Sequence, residues 1–204
     1  KDVLRACFIG RLVPYKGPDM LLEAALPLLQ TGQLQLDLIG DGPLMESLQR
    51  FVADHGIESA VTFHGWMDHT KVQNVAAQSQ ILAFPSVREF GGGVVLEAMA
   101  LGLVPLIGDY AGPGELVKPG TGFKVPIGPR DQIVAGFRDS LTELAARPEQ
   151  LTRIGENARN RIEWFFTWDR KADQVLAIYD WVLGHRSDRP DPFAATENSR
   201  KDTG

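Results

Sequence analysis

The apolar positions of this chain fall into two patterns that alternate along its length. Short, nearly continuous apolar runs predict buried strands at 4–10, 34–40, 61–65, 81–86, 103–108 and 122–126. Apolar residues with a helical period predict helices from residue 18 onward, at 42–56, 68–79 and 92–102, and near 130–147, 148–165 and 168–184. Continuously apolar strands that alternate with helices are typical of a parallel sheet. The pattern therefore predicts an α/β fold, a doubly wound parallel sheet with helices on both faces and a helical carboxy-terminus.

Local signals mark the ends of three of these helices. Pro18 suits the first turn of the first helix, where a missing N–H costs nothing. Gly56 is expected to end the second helix, and Asp68 to cap the start of the third. In a sheet of this kind ligands bind beyond the carboxyl ends of the strands. The loops that follow the strands are therefore where functional residues are expected.

The two ends of the chain differ in character. The 204 residues are enough for one domain with a sizeable core. The first strand begins almost directly after Lys1, which suggests a cut made just before a domain. Residues 187–204 are polar, contain prolines and lack periodicity, which predicts a disordered tail or a linker. We therefore predict one domain over residues 1–186 and a tail over residues 187–204.

Charge and cysteine content exclude some classes of function. Lys and Arg number 21 against 26 Asp and Glu, for a net charge of −5, which argues against general binding of nucleic acid or anionic membranes. Cys7 is the single cysteine, so an internal disulfide is excluded and a reducing, cytoplasmic location is predicted. No apolar stretch approaches the roughly 20 residues of a membrane-spanning helix. Membrane association of a longer parent enzyme stays open.

The loop after the first strand, "GRLVPYKGPD", carries two cations at the start of a helix. Arg11 leaves the strand, and Lys16 stands just before the helix that Gly17 and Pro18 begin. A helix amino-terminus offers free N–H groups and partial positive charge. A guanidinium and an ammonium beside it would suit a diphosphate. Alternatively, both cations are ordinary solvated loop residues.

The loop after the fourth strand, "REFGGGVVLEAMALG", combines glycines with two carboxylates. The glycines at 91–93 allow a close backbone approach to a ligand, and their amides begin a helix. Glu89 precedes that helix and Glu97 lies in its second turn; one carboxylate can bind a vicinal diol. A sugar nucleotide supplies both phosphates and hydroxyl pairs. Alternatively, Glu97 is a surface helix residue and Glu89 a charge near the helix cap.

These segments resemble a known family. "GRLVPYKG", "IGDGP", "VTFHGWM", "FPSVREFGGGVVLEAMALGLVPLIGDYAGPGELV" and "TGF" are similar, in order and separation, to the blocks of retaining glycosyltransferases of family 4. The resemblance covers roughly residues 4–184 and concerns the carboxy-terminal, nucleotide-sugar-binding domain. It implies a Rossmann-like fold, one half of a GT-B enzyme. The Glu-x7-Glu motif with its glycine-rich interior is the most specific of these signals.

The resemblance implies a role for individual residues. Arg11 and Lys16 would bind the donor diphosphate, Glu89 would contact sugar hydroxyls, Glu97 would hold the ribose, and Met67 would meet the base through backbone groups. The implied donor-binding set is Gly10, Arg11, Lys16, Met67, Glu89, Phe90, Gly91, Gly92, Gly93, Val94 and Glu97. Within it, Glu89, Arg11 and Lys16 would serve catalysis. The family is similar in needing no metal, so neither a metal nor another cofactor is expected.

Some features depart from the family or leave alternatives open. Ala111 stands where members often have glycine, and the acceptor-binding amino-terminal domain is missing, so the fragment should bind donor without transferring sugar. His64 and His69 are interpreted as structural. Either a UDP or a GDP sugar could be the donor. The alternatives are a sugar-nucleotide epimerase or hydrolase of similar fold, and a non-catalytic regulatory domain that binds nucleotide sugars.

Overall fold

The computed structural model describes residues 3–191 and 193. The chain divides into two compact units, residues 1–159 and 160–204, which are described separately. The domain boundary predicted at residue 186 stays a prediction. Of the predicted tail over 187–204, residues 192 and 194–204 lie outside the described residues.

The first unit is built on a parallel sheet. Within the described residues the sheet has six strands: β1 (Leu4–Ile9), β2 (Leu34–Ile39), β3 (Val61–Gly65), β4 (Ile81–Phe84), β5 (Val104–Asp109) and β6 (Phe123–Pro126). Their spatial order is β3-β2-β1-β4-β5-β6, and every neighbouring pair is parallel. This order, with the chain moving outward in both directions from the β1–β4 pair, is that of a Rossmann-like doubly wound sheet. The predicted fold class is confirmed.

Helices lie between and after the strands, and all but one are close to their predicted positions. In the described part of the chain they are α1 (Pro18–Gln30), α2 (Met45–Asp54), α3 (His69–Ala76), α4 (Gly93–Ala100), α5 (Ala111–Leu116), α6 (Arg130–Ala146), α7 (Glu149–Phe165) and α8 (Trp168–Val182). Pro18 occupies the first turn of α1, and Gly56, at φ 63°, follows α2. Asp68 caps α3 by accepting a hydrogen bond from the backbone N–H of Lys71 at 3.1 Å, which lowers the pKa of the Asp68 carboxyl.

The helix α5 is missing from the sequence-based prediction. Its residues, "AGPGEL", include two glycines and a proline, which are poor helix formers. Tertiary contacts hold its first turn instead: the N–H of Gly112 donates to the carbonyl of Phe90 at 3.0 Å, and a Cβ on Gly92 would lie 3.0 Å from Pro113. A helix that depends on such contacts gives little local signal.

A polar network around one buried carboxylate joins the three strands β3, β2 and β1 at one side of the sheet. Asp37 on β2 is 5% exposed and accepts from His64 Nε2 on β3 at 2.7 Å, while the Arg5 guanidinium on β1 lies 3.4 Å from its second oxygen. Buried carboxylates need such partners, because an unpaired one is costly. His64 thus takes part in a structural network, in agreement with its interpretation from the sequence.

The single cysteine provides a test of how tightly this sheet is packed. Cys7 on β1 is fully buried, and burial raises the pKa of its thiol from the ordinary 9.0 to about 12. Between these values the unfolded chain has lost the thiol proton and the folded chain has kept it. The contribution of this thiol therefore lowers stability progressively as the pH rises from about 9 toward about 12.

We expect Cys7 to resist a thiol reagent in the native protein at mildly alkaline pH, since the reactive thiolate is both rare and inaccessible. Full labelling should follow in denaturant, and a colorimetric thiol assay measures both states. The denatured protein serves as the internal control. Rapid stoichiometric labelling without denaturant would contradict the described packing.

The second unit contains the end of α7 and all of α8. Thr167 caps α8, accepting from the N–H of Arg170 at 3.4 Å. Lys171 Nζ lies 4.6 Å from the centre of the Phe166 ring, and burial, followed by the nearby Arg161, lowers the pKa of Lys171. None of the helices in residues 3–191 combines the length and apolar character needed to cross a membrane.

Candidate functional site

The predicted phosphate and sugar loops meet between β1 and β4, where the order of the strands reverses. β1 and β4 are neighbours, yet the chain leaves β1 toward β2 and leaves β4 toward β5. The crevice beyond the carboxyl ends of the strands at such a reversal is the usual ligand site of these sheets. Arg11 and Lys16 follow β1, and Glu89 follows β4. The topology thus brings together residues that are far apart in the sequence.

The loops after β1 and β2 form one wall of this crevice. The N–H of Gly10 donates to the carbonyl of Ile39 at 2.9 Å, and the N–H of Leu12 to that of Asp41 at 2.9 Å, so the two loops stay paired beyond the sheet. Gly40 lies so close that a Cβ there would be 2.0 Å from the Gly10 carbonyl oxygen. Close contact of the two backbones leaves this wall with few side chains.

A cavity of about 710 Å³ lies against this wall. Arg11 and Met67, two of the predicted site residues, line it together with Gly10. The remaining lining residues are Ile9, Ile39, Gly40, Asp41, Gly42, Trp66 and Val72. The side chain of Arg11 is exposed and has no ion pair among the described residues. The cavity therefore combines an available cation with apolar and glycine surfaces.

The loops after β1 and β4 are tied together on the other side of the crevice. The carbonyl of Tyr15 accepts from the N–H of Val87 at 2.9 Å and lies 3.3 Å from the buried Ser86 hydroxyl. These contacts place Lys16 beside Glu89, and the Lys16 ammonium forms an ion pair with a Glu89 carboxylate oxygen. Lys16, predicted to bind phosphate, and Glu89, predicted to bind sugar hydroxyls, therefore lie next to each other.

The Lys16–Glu89 pair is shielded more than a surface ion pair. Each side chain is 18% exposed, and the Lys16 ammonium lies 5.0 Å from the centre of the Phe84 ring. Both residues line a second cavity, of about 560 Å³, whose other lining residues are Tyr15, Arg88, Phe90 and Tyr110. Partial shielding strengthens electrostatic interactions with any ligand that enters. Phe90 is 94% exposed at this cavity.

The predicted glycine loop begins α4. Gly92 precedes the helix at φ 69°, a left-handed conformation that glycine adopts without strain. Gly91 lies just before this residue, and Gly93 and Val94 are the first two residues of α4. The backbone N–H groups of residues 91–94 donate no hydrogen bond to the described part of the chain. Such free amides at a helix amino-terminus are suited to an anion.

The second predicted carboxylate, Glu97, lies farther along α4 and is exposed. Its Oε2 atom is 3.2 Å from His69 Nε2, at the start of α3. Glu97 lines neither of the two cavities at this end of the sheet. The structure therefore connects Glu97 with the start of α3 rather than with the Lys16–Glu89 pair.

Sequence reasoning missed several residues of these cavities. Gly40 and Gly42 belong to the "IGDGP" segment, and their place could be found only by knowing that β2 is next to β1. Trp66, Arg88 and Tyr110 gave no signal of their own. Among the residues that the structure describes, no three His, Cys, Asp or Glu side chains are grouped so as to hold a metal ion.

The fold and the site together define a class. This is a Rossmann-like α/β domain with free helix amides, cations and carboxylates at its switch point. The model of the family Glycosyl transferases group 1 matches residues 1–161. The chain therefore belongs to that family, and its fold is of the GT-B type.

Individual relatives agree with this assignment. A D-inositol 3-phosphate glycosyltransferase of Gordonia bronchialis is 34% identical over 187 residues, which cover 86% of this chain and 40% of the relative. An alpha-D-kanosaminyltransferase of Streptomyces kanamyceticus is 28% identical, over 84% of this chain and 44% of the relative. The crystal structure of Anabaena HepE in complex with UDP and glucose superposes with a TM-score of 0.74 at 21% identity, covering 90% of this chain and 49% of HepE. The chain thus spans less than half the length of these relatives.

Proposed function

We propose that this chain is the donor-binding domain of a retaining glycosyltransferase that uses a nucleoside-diphosphate sugar. The observation that carries the proposal is the meeting of Lys16 and Glu89 at the β1–β4 switch point, beside the free amides of α4. A cation and amides suit the diphosphate, and the carboxylate suits sugar hydroxyls. The names of related proteins, and the UDP and glucose bound to HepE, support this ligand class.

In the proposed reaction the acceptor hydroxyl attacks the anomeric carbon on the face from which the diphosphate leaves. The bond between that carbon and the phosphate oxygen breaks, and the acceptor proton passes to the leaving phosphate. Arg11 and Lys16 would stabilise the negative charge that develops on the diphosphate. Glu89 would orient the sugar. These residues supply the positive charge without a metal ion, so binding should persist in a chelator.

The acceptor and its binding domain belong to the longer parent enzyme in this proposal. The chain spans about two fifths of its Gordonia relative, so the rest of such a protein is free to supply them. A cytoplasmic location is part of the proposal, because the nucleotide-sugar site and the free thiol suit that compartment. The chain alone should bind donor and transfer no sugar.

The first test is to titrate the chain with a panel of UDP and GDP sugars while following thermal unfolding. A ligand that binds only the folded state raises stability by mass action. At least one sugar nucleotide should raise the melting temperature, with free sugars as the negative control. A complete lack of response across the panel would contradict the proposed function.

Substitutions of Glu97 and Glu89 are expected to affect the binding of different ligands. We expect Glu97→Gln to weaken a nucleoside diphosphate and its sugar nucleotide about equally, because both contain the ribose. Glu89→Gln should weaken only the sugar nucleotide, since its loss leaves Lys16 free for phosphate. Calorimetric titration of both ligands measures the difference. Equal weakening of both ligands by both variants would contradict this division of roles.

A further inference from the structure

An exposed tryptophan lies at the larger cavity and has no part in the function proposed so far. Trp66 directly follows β3 and leaves 79% of its surface exposed. It lines the cavity of about 710 Å³ together with Arg11 and Gly40. Large aromatic side chains gain free energy from burial, so one that stays exposed at a cavity is a candidate for ligand contact.

The backbone holds Trp66 at this position. Gly65, the residue before it, adopts φ 66°, and its carbonyl accepts from the N–H of Gly40 at 2.9 Å. Gly40 in turn lies against the backbone of Gly10. The start of the Trp66 segment is therefore linked through β2 to the loop that carries Arg11. An aromatic ring on a fixed backbone loses little freedom when a flat ligand stacks on it.

We propose that Trp66 is a base-stacking residue, whose indole packs against the nucleobase of the donor. The inference rests on the proposed function, and it adds a side-chain contact where backbone contact at Met67 was the expectation. Arg11, in the same cavity, would then bind the phosphates while the ring covers the base. Every nucleobase has an aromatic face, so Trp66 should contribute to affinity for uracil and guanine nucleotides alike.

Affinity of the chain for UDP, GDP and inorganic pyrophosphate tests this proposal by calorimetry. Trp66→Ala should weaken binding of the nucleoside diphosphate that the wild type binds by about 5- to 150-fold, the range for loss of one stacked base. Affinity for pyrophosphate, which has no base, should stay unchanged. Trp66→Phe keeps an aromatic face and should retain most of the affinity. Trp168→Ala, which removes a tryptophan that is 90% exposed and lines neither site cavity, is the matched control and should change nothing.

Tryptophan fluorescence gives a second measurement. The chain has four tryptophans, and of these Trp66 is the one that lines the larger cavity. Quenching by a bound nucleoside diphosphate should therefore disappear in Trp66→Phe although binding persists. Unchanged diphosphate affinity in Trp66→Ala, or an equal loss for pyrophosphate, would overturn the stacking role. A wild-type chain that binds neither UDP nor GDP would instead contradict the proposed function itself.

Discussion

Replacing Gly40 by alanine is expected to lower the free energy of unfolding by about 3 kcal/mol or more. Two costs add at this position. Gly40 has φ 136°, which side chains other than glycine rarely adopt, and its Cβ would lie 2.0 Å from the Gly10 carbonyl oxygen. The obstacle is backbone, so a rotamer change cannot relieve it. Chemical denaturation of the wild type and the variant measures the loss.

Gly32→Ala is the matched control for the Gly40 substitution. Gly32 also has a positive φ, of 66°, but no atom lies within 4 Å of a Cβ built there. Its substitution should therefore cost only the conformational term, about 1–2 kcal/mol. Equal losses in the two variants would show that the close approach of the β1 and β2 loops adds nothing. The Gly40 variant should also lose nucleotide binding, because the same loops form the cavity wall.

The second large effect is expected at the ion pair in the crevice. Lys16→Ala should weaken nucleoside-diphosphate binding by about 1.5–3 kcal/mol, the range for hydrogen bonds to charged groups. The variant removes the phosphate cation and leaves the Glu89 carboxylate, 18% exposed, without its partner near the ligand. Calorimetric titration with a nucleoside diphosphate measures the loss. Arg11→Ala should weaken the same ligand, since Arg11 faces the neighbouring cavity.

A second substitution shows whether the pair acts as a unit. Adding Glu89→Gln to Lys16→Ala should restore part of the lost affinity, because it removes the negative charge that Lys16 had balanced. Lys124→Ala is the control for loss of a paired lysine: Lys124 lies 3.1 Å from Asp109 and lines neither site cavity. Unchanged affinity in both Lys16→Ala and Arg11→Ala would contradict the phosphate site. If the double variant binds the nucleoside diphosphate no more tightly than Lys16→Ala does, Glu89 does not influence the phosphate site.

The partial success of prediction at the helices has a physical explanation. Strands and long helices reveal themselves through the spacing of apolar residues, which depends on local geometry. Asp68 was found as a cap for the same reason, since its partner Lys71 is three positions away. The short helix α5 was missed because "AGPGEL" becomes helical only through contacts with the loop of Phe90 and Gly92.

Ala111 shows how a local departure acquires meaning only in three dimensions. From the resemblance to the family, glycine is expected at this position, where the chain has alanine. In the structure Ala111 adopts φ 44°, and among the described residues it is the single non-glycine with a positive φ. Glycine reaches that conformation without strain. A glycine would therefore meet the backbone requirement at the start of α5 without that strain.

By itself, the sequence determined the alternation of strands and helices, and with it the loops where Arg11, Lys16, Glu89 and Glu97 would lie. Only the tertiary structure decided which of those loops meet. Lys16 and Glu89 are 73 positions apart, and they pair because β1 lies beside β4. Glu97 instead lies near His69. Trp66 lines the larger cavity next to Gly65, whose carbonyl accepts a hydrogen bond from the N–H of Gly40. Apolar spacing reports the local geometry of each element, whereas strand order depends on how all the elements pack together.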